Sequence, residues 1–249
     1  MSRSLRDLPE FAAPSVPAVT REQMREVDRL MIEEYGIQLL QMMENAGLNL
    51  ADAVRRALGT LEGQRVVVLA GAGNNGGGGL TAARRLSAWG ANVHIVLAAA
   101  AEDLVDAPAL QLGILRQMDV PIGRFDGRLP QHDILIDAVI GYSLRGAPHG
   151  LAAKLIAAAN GTSSPVLSLD TPSGLDVDSG EAPGEAVRST ATVTLALPKV
   201  GLLQSEARPY VGELYLADIA VPLSLYGRLG LAPPPLFAEG PLVRIRMAS

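Results

Sequence analysis

The 249-residue sequence predicts an α/β domain, a mostly parallel sheet with helices on both faces. Three observations lead there. Short β-branched runs alternate with helical segments of about 10–15 residues, the pattern of parallel strands joined by crossover helices. Apolar residues make up 48% of the chain against 19% charged, enough to cover such a sheet on both sides. A glycine-rich stretch follows the first β-branched run, where a strand would hand over to a helix.

Taken in order, residues 1–18 are rich in Pro and Ala without periodicity and read as a flexible N-terminal tail, leaving 19–249 as a single domain. Thr20-Arg-Glu-Gln23 is a capping box that opens a helix to about Glu34, which Gly36 breaks. Leu39, Leu40, Met43, Ala46, Leu50, Val54 and Leu58 recur at helical spacing in a second helix from about Gln38 to Leu58. Arg65–Ala70 has the length and composition of a buried parallel strand. A glycine loop at 71–79 leads to a helix at about 80–89 and a strand at Asn92–Leu97. A helix at roughly 103–118, a strand at Ile134–Ala138 and a helix near 150–159 follow. Val166–Leu169, Ala191–Leu197 and Glu213–Ile219 complete the strands.

Composition excludes several kinds of chemistry. With no cysteine there are no disulfides, thiolate nucleophiles or thiolate metal sites, and three scattered histidines do not suggest a transition-metal centre. A metal here would be a hard cation held by oxygen. The net charge of −5 argues against general nucleic-acid or anionic-membrane binding. Neither a signal-peptide pattern nor an 18-residue apolar run is present, so a cytoplasmic protein that does not enter the membrane is expected.

Open parallel sheets bind ligands at the carboxyl ends of their strands. Three of those ends carry polar residues here. Gly71, Gly73 and Gly76 satisfy G-x-G-x-x-G around Asn74 and Asn75, a spacing that lets a phosphate approach a helix start. An ordinary dinucleotide site also wants an acid ~20 residues further on, yet the second strand ends in Leu97 and four alanines, with no acid before Glu102. A standard dehydrogenase is therefore disfavoured. A plain glycine turn is the bland alternative, but six glycines and two adjacent asparagines within 71–79 exceed what a turn needs. Asp137 and Asp170 close two other strands, and either one alone reads sooner as a solvated strand-end acid or a cap for the following loop. Asp170-Thr-Pro-Ser-Gly174 is more specific, because Pro172 and Gly174 fix a turn that holds Asp170 and Ser173 near one point. Two acids with Asn and Ser oxygens suit a hard cation or proton transfer on a polar substrate. Ser173 is a weak candidate for a hydrolase nucleophile, since no G-x-S-x-G surrounds it and no histidine follows it.

Other features carry less. Asp176-x-Asp178-x-Gly180 lacks the later Glu of a calcium loop and reads as a solvated turn. Arg145 reads as a loop surface charge, and Met42–Gly47 as helix core with only Glu44 and Asn45 polar. Lys199 is one of two lysines and follows Pro198 at a strand end.

Met43-Glu-Asn-Ala-Gly47, Gly73-Asn-Asn-Gly-Gly77, Asp137-x-x-x-Gly141, Asp170-x-Pro-Ser-Gly174, Pro198-Lys199 and Tyr210-Val-Gly-Glu213 together resemble the motifs of the YjeF N-terminal domain family, in the family's order and over roughly residues 19–222. The resemblance implies a Rossmann-like three-layer sandwich, commonly a homodimer. It also implies epimerisation of the R and S forms of NAD(P)HX, the hydrate of the reduced nicotinamide cofactor, in service of a separate NAD(P)H-hydrate dehydratase. Position by position, Asn74, Asn75, Gly76, Gly77 and Gly78, the segment Gly141, Tyr142, Ser143, Leu144, Arg145, Gly146 and Ala147, and Asp170 would contact the hydrate. Asn75, Asp137 and Ser173 would ligate K+, and Asp170 would be the acid–base group.

One position departs from the family pattern, Gly78, where the loop usually carries Asp. The alternative reading is accordingly a catalytically weakened member acting as a ligand-, protein- or RNA-binding module. The arginine pairs at 55–56 and 84–85 and the basic end at Arg244 and Arg246 give RNA binding little support, reading as solvated helix faces and a charged tail. A sugar- or nucleotide-modifying enzyme of another kind is disfavoured by the missing ribose acid.

Overall fold

The apolar runs form strands because both of their faces are covered. In the computed structural model, which describes residues 4–247, the strands are β1 (Glu10–Ala12), β2 (Arg65–Ala70), β3 (Asn92–Leu97), β4 (Ile122–Arg124), β5 (Ile134–Ala138), β6 (Val166–Leu169), β7 (Ala191–Leu195), β8 (Glu213–Ala217) and β9 (Leu242–Arg246). The helices are α1 (Arg21–Glu33), α2 (Leu39–Leu58), α3 (Asn74–Ala88), α4 (Asp106–Gln117), α5 (Gly150–Asn160), α6 (Arg208–Val211) and α7 (Leu223–Arg228). Along β2, Val66, Val68 and Ala70 join one apolar cluster with Leu50 of α2, Leu80 of α3 and Leu112 of α4. The alternate residues Val67 and Leu69 join another with Leu155 and Ile156 of α5. That period of two, apolar on both phases, is what a sheet between helical layers requires.

The strands form one sheet in the order β1-β9-β8-β7-β6-β5-β2-β3-β4. Among the described strands only β8 and β9 pair antiparallel. From β2 the chain builds outward through β3 and β4, then returns to place β5 on the other side of β2 and builds the opposite way. The carboxyl ends of β2 and β5 are thus a topological switch point, where outgoing connections diverge and leave a crevice. Among the described residues no helix is long and apolar enough to cross a membrane.

The capping box forms as read: Thr20 Oγ1 accepts from the Gln23 N–H at 3.2 Å, and Gln23 Oε1 accepts from the Thr20 N–H at 2.9 Å. The glycine stretch, in contrast, is helix from Asn74 onward, with Gly76–Gly79 in the first turns of α3. Glycine disfavours a helix by about 1 kcal/mol per residue relative to alanine, so packing must override propensity. It does so on several sides of the helix. A Cβ on Gly76 would lie 1.9 Å from the Gly71 carbonyl oxygen, one on Gly77 2.5 Å from Met43 Cε, and one on Gly79 2.5 Å from Ala138 Cβ. Glycine here permits close approach, and α2, α3 and the sheet meet at distances no other residue allows.

The expected N-terminal tail is also different. Residues 1–3 lie outside the described residues, but β1 pairs in parallel with β9, and Ala13 and Val16 are buried. Arg244 and Arg246, expected in a solvated tail, belong to β9 and pair with Glu10 across that edge, Arg246 Nε at 2.8 Å. β4, β9 and α7 were not expected from the sequence. β7 and β8 each stop two residues short of the expected end, and in β7 the chain turns at Ala196 with φ +64°.

Replacing Gly76 by Ala is expected to destabilise the fold by at least about 1–3 kcal/mol, because the clash is with backbone that cannot move aside. Gly73→Ala, where no atom lies within 4 Å of a built Cβ, is expected to leave the urea midpoint nearly unchanged. Equal midpoints for the two variants would contradict this packing account.

Candidate functional site

At the switch point lies a cavity of about 430 Å³. Its floor is Val139–Ser143 after β5, Leu169 and Asp170 at the end of β6, and Leu195 of β7. Gly73, Asn74, Asn75 and Gly78 form one wall; Met24 and Asp28 of α1 and Leu39, Met42, Met43 and Ala46 of α2 cover the opening. Lys199 and Ile219 complete it.

Asp170 is held in the left-handed region, φ +66°, which a non-glycine residue occupies at a cost of about 1 kcal/mol or more. Its N–H donates to the Val193 carbonyl at 2.7 Å, and Gly174 (φ +100°) continues the turn. The side chain is almost wholly buried and ion-paired through Oδ1 with Lys199 Nζ, while Oδ2 accepts from the Tyr142 N–H at 3.3 Å. Lys199 has no exposed surface. Its ammonium also donates to the Leu195 carbonyl at 3.0 Å and Thr194 Oγ1 at 3.3 Å, so all three of its protons have acceptors. The lysine is fixed from the N-terminal side as well: the Val19 N–H donates to the Pro198 carbonyl at 2.9 Å, and the Val200 N–H to the Val19 carbonyl at 3.0 Å.

Asp137 is not a solvated strand-end acid. It is wholly buried, accepting from Ser173 Oγ at 2.6 Å, the Ser173 N–H at 2.9 Å, Ser168 Oγ at 2.7 Å and the Val139 N–H at 3.3 Å. Burial pushes its carboxyl up, and these donors oppose the rise only in part. Every one of them is uncharged. Ser173 Oγ in turn accepts from the Ile140 N–H at 2.8 Å, and Gly141 passes so close to Asn75 that a Cβ there would lie 3.1 Å from its side chain. Val139–Gly141 thereby links Asn75, Asp137 and Ser173. The buried Asn75 Nδ2 has no partner among the described residues. One uncompensated carboxylate among neutral oxygens is a donor set that fits a monovalent hard cation. Among the described residues no group of three His, Cys, Asp or Glu offers a more highly charged site.

The structure divides the expected site residues. Asn74, Asn75, Gly78, Gly141, Tyr142, Ser143 and Asp170 line the cavity. Gly76 and Gly77 do not; their places are taken up by contacts to Gly71 and Met43. Leu144 is buried off the cavity, and Arg145, Gly146 and Ala147 are exposed beyond it. Ser173 lies beneath the floor, bonded to Asp137, and does not serve as a nucleophile presented to the cavity. At Gly78 a Cβ would lie 2.7 Å from Leu169 Cδ2, so leucine fills the space behind the position where an aspartate was expected. The Asp176 turn is a joint: Asp176 pairs with Arg21 at 2.5 Å. Burial works to raise its carboxyl, and the Ser179 N–H and Arg21 outweigh that and hold it low. Glu44 belongs to a clamp between helices, bonding Arg84, Arg85 and Gln111.

Two members of the site were given no role from sequence. Lys199 stood out by its rarity and as part of the Pro198-Lys199 motif of the family resemblance, without a role attached. Asp28 was not singled out, although it lies on the apolar face of α1 between Met24 and Met31, both buried. An acid at that phase of an amphipathic helix is the signal that could have found it. Its Oδ2 accepts from the Tyr142 hydroxyl at 2.6 Å, and Arg21 Nε donates to the Tyr142 carbonyl at 3.1 Å, so α1 grips the floor loop at both ends of one residue.

The family model for the YjeF-related protein N-terminus matches residues 39–201. An NAD(P)H-hydrate epimerase of Dehalogenimonas lykanthroporepellens is 45% identical over 223 residues, which is 87% of each chain. The bifunctional NAD(P)H-hydrate repair enzyme Nnr of Salinibacter ruber is 38% identical over 83% of this chain, which spans only 41% of that longer relative. Among solved structures, yeast ynu0 superposes with a TM-score of 0.78 at 25% identity, covering 92% of this chain and all of the yeast one.

Lys199→Met removes the ammonium paired with Asp170 and is expected to destabilise the protein by about 3–5 kcal/mol. Lys199→Met with Asp170→Asn is expected to recover at least about 1 kcal/mol of that in a double-mutant cycle read by urea unfolding. Additive losses would show that the two residues are not coupled.

Proposed function

The chain belongs to the YjeF-related N-terminal domain family, and from that premise we propose that it is an NAD(P)H-hydrate epimerase, interconverting the R and S forms of the hydrated nicotinamide cofactor. The observation that carries the reading is Asp170: a carboxylate held in a strained turn at the end of β6, next to the switch point of the sheet, fixed by Lys199 through one oxygen and left with spare acceptor capacity on the other. Strain that the surroundings over-determine is a mark of functional positions.

The reacting carbon bears a hydroxyl next to the ring nitrogen, so inversion needs proton transfer at that oxygen. Asp170 is assigned as the group that exchanges the proton. The N–H groups at the start of α3, with Asn74 and Asn75, would receive the polar part of the substrate beside Gly78. Met24, Met42 and Met43 exclude water and pack against apolar ring edges. Arg145, Gly146 and Ala147 continue from Ser143 on the outer side, where the rest of a dinucleotide would pass. A carboxylate at position 78 is not required by this arrangement.

Asn75, Asp137 and Ser173 would hold a potassium ion. It would neutralise the buried charge and thereby stiffen the floor segment Val139–Gly141. The product suits a dehydratase that accepts one epimer, and the longer relatives named as bifunctional repair enzymes support that link. Homodimer formation and a cytoplasmic location belong to the same proposal.

Asp170→Asn is expected to lower the rate of R-to-S conversion of NADHX by about 10²–10⁴-fold. Full turnover by that variant would overturn the assignment. A wild-type protein that binds NADHX without converting it would instead be a binding module on this fold.

A second expectation concerns the cation and does not depend on activity. Exchanging a bulky organic cation for K+ is expected to raise the wild-type melting temperature by at least about 2 °C through selective binding to the folded state. Asp137→Asn should show no such response. An equal response in that variant would remove Asp137 from the ion site.

A further inference from the structure

The cavity wall carries a second carboxylate with its own free oxygen. Asp28 is bonded through Oδ2 to the Tyr142 hydroxyl, and among the described residues its Oδ1 has no protein partner. Asp170 mirrors it: Oδ1 takes Lys199, and Oδ2 takes only the long bond from the Tyr142 N–H. One tyrosine therefore spans two carboxylates, its backbone on one and its hydroxyl on the other. Their surroundings differ in charge. Asp170 abuts an ammonium, whereas the direct partner of Asp28 is a neutral hydroxyl. Burial pushes the Asp28 carboxyl above the ordinary range; the Tyr142 hydrogen bond and Lys199 oppose the rise, and the charge of Asp170 adds to it. Two cavity carboxyl groups with such unequal neighbours are fitted to unlike tasks, which is how one site supplies both an acid and a base.

We propose that Asp28 is a second catalytic residue, serving the face of the hydrated ring opposite to the face that Asp170 serves. The proposal rests on the epimerase reading above. Inversion by loss and return of water requires the oxygen to leave from one face and arrive at the other. Protonated Asp28 gives its proton to the hydroxyl, and the C–O bond breaks with its electron pair going to the departing water. The ring nitrogen lone pair closes a C=N bond in the same step. Water then forms a C–O bond on the opposite face, the C=N pair returns to nitrogen, and the extra proton passes to the Asp170 carboxylate. One water has been lost and one gained, and one proton has moved from Asp28 to Asp170. The other epimer runs the same steps in reverse, so no oxidant, reductant or co-reactant is needed. A lone carboxylate touches a bound ring from one side only, and the span of Tyr142 is what sets the second one apart from the first.

The test is epimerisation in H₂¹⁸O, starting from each pure epimer, with the uncatalysed rate subtracted. Wild-type protein is expected to incorporate solvent oxygen with each inversion. Asp28→Asn, which keeps the shape and the Tyr142 contact, and Asp28→Ser are expected to lose at least about 10²-fold in kcat for inversion, with KM changed by less than about threefold. Both should still exchange oxygen without inversion in one epimer, and Asp170→Asn should do so in the other. Inversion at the wild-type rate in the Asp28 variants would overturn the proposal, as would parallel loss of exchange from both epimers. Wild-type inversion without incorporation, as ring opening would give, would overturn it and leave the epimerase reading standing. A wild-type protein that inverts neither epimer would remove both.

Discussion

A lysine ammonium and an aspartate carboxylate sealed from water, Lys199 against Asp170, impose the constraint on which the rest of this molecule depends. Removing one partner would leave the other charged in a low-dielectric interior, so the pair must be brought together by chain segments that cannot drift apart. Asp170 is carried by the turn after β6 and Lys199 by the turn after β7, while Val19 clips the backbone on both sides of that lysine. Three stretches far apart in sequence are thus fastened at one point above the carboxyl edge of the sheet. The left-handed residues Asp170 and Ala196 lie within these same turns. Their strain persists because the buried pair leaves the backbone no alternative that keeps both charges satisfied.

The glycines solve the complementary problem of access. A carboxylate at a strand end can meet a ligand only if the ligand can come down to it, and α3 starts directly beside the β5 and β6 ends. Without side chains on Gly76–Gly79, that helix lies against Gly71, Met43, Leu169 and Ala138, which brings its first N–H groups to the cavity edge. Dense packing below and open space above are the same fact seen from two sides. It also explains why position 78 does not need a polar group for the fold. Leu169 already fills the space behind it, and a larger residue would have to displace that leucine.

How much of this could be read from the sequence follows from how local each signal is. The capping box at Thr20, the strand at Arg65–Ala70 and the alternation that makes the sheet parallel are set by near neighbours and were legible. The beginning of α3 was not, because helix propensity says glycines should be loop, and only long-range contacts reverse it. β1 and β9 were missed for a related reason. Three residues from Glu10 and five ending at Arg246 have weak patterns alone, and they become strands by pairing with each other and with β8. In the site, Asp137 and Asp170 could be found because each ends a strand within a motif. Whether they were exposed could not be found, and that is what separates a solvated cap from a buried charge. Asp28 lay in plain view on the apolar face of an otherwise well-predicted helix. Its meaning depends on Tyr142, 114 residues later in the chain.

The three carboxylates around the cavity are held in three different ways, and the difference bears on what each is fitted to do. Asp170 has a fixed ammonium, which permits it to be charged out of water and still present an oxygen to a ligand. Asp137 has only neutral donors, four of them, and no face on the cavity; a buried charge so placed acts on what is around it and is suited to holding a cation rather than to touching substrate. Asp28 has a single neutral donor and does face the cavity, with its other oxygen free for a ligand. Exchanging these environments would exchange the roles, although the side chain is the same in every case. Function here is therefore specified less by the aspartates than by Lys199, Ser173 and Tyr142, the residues that decide what each carboxylate can afford to do.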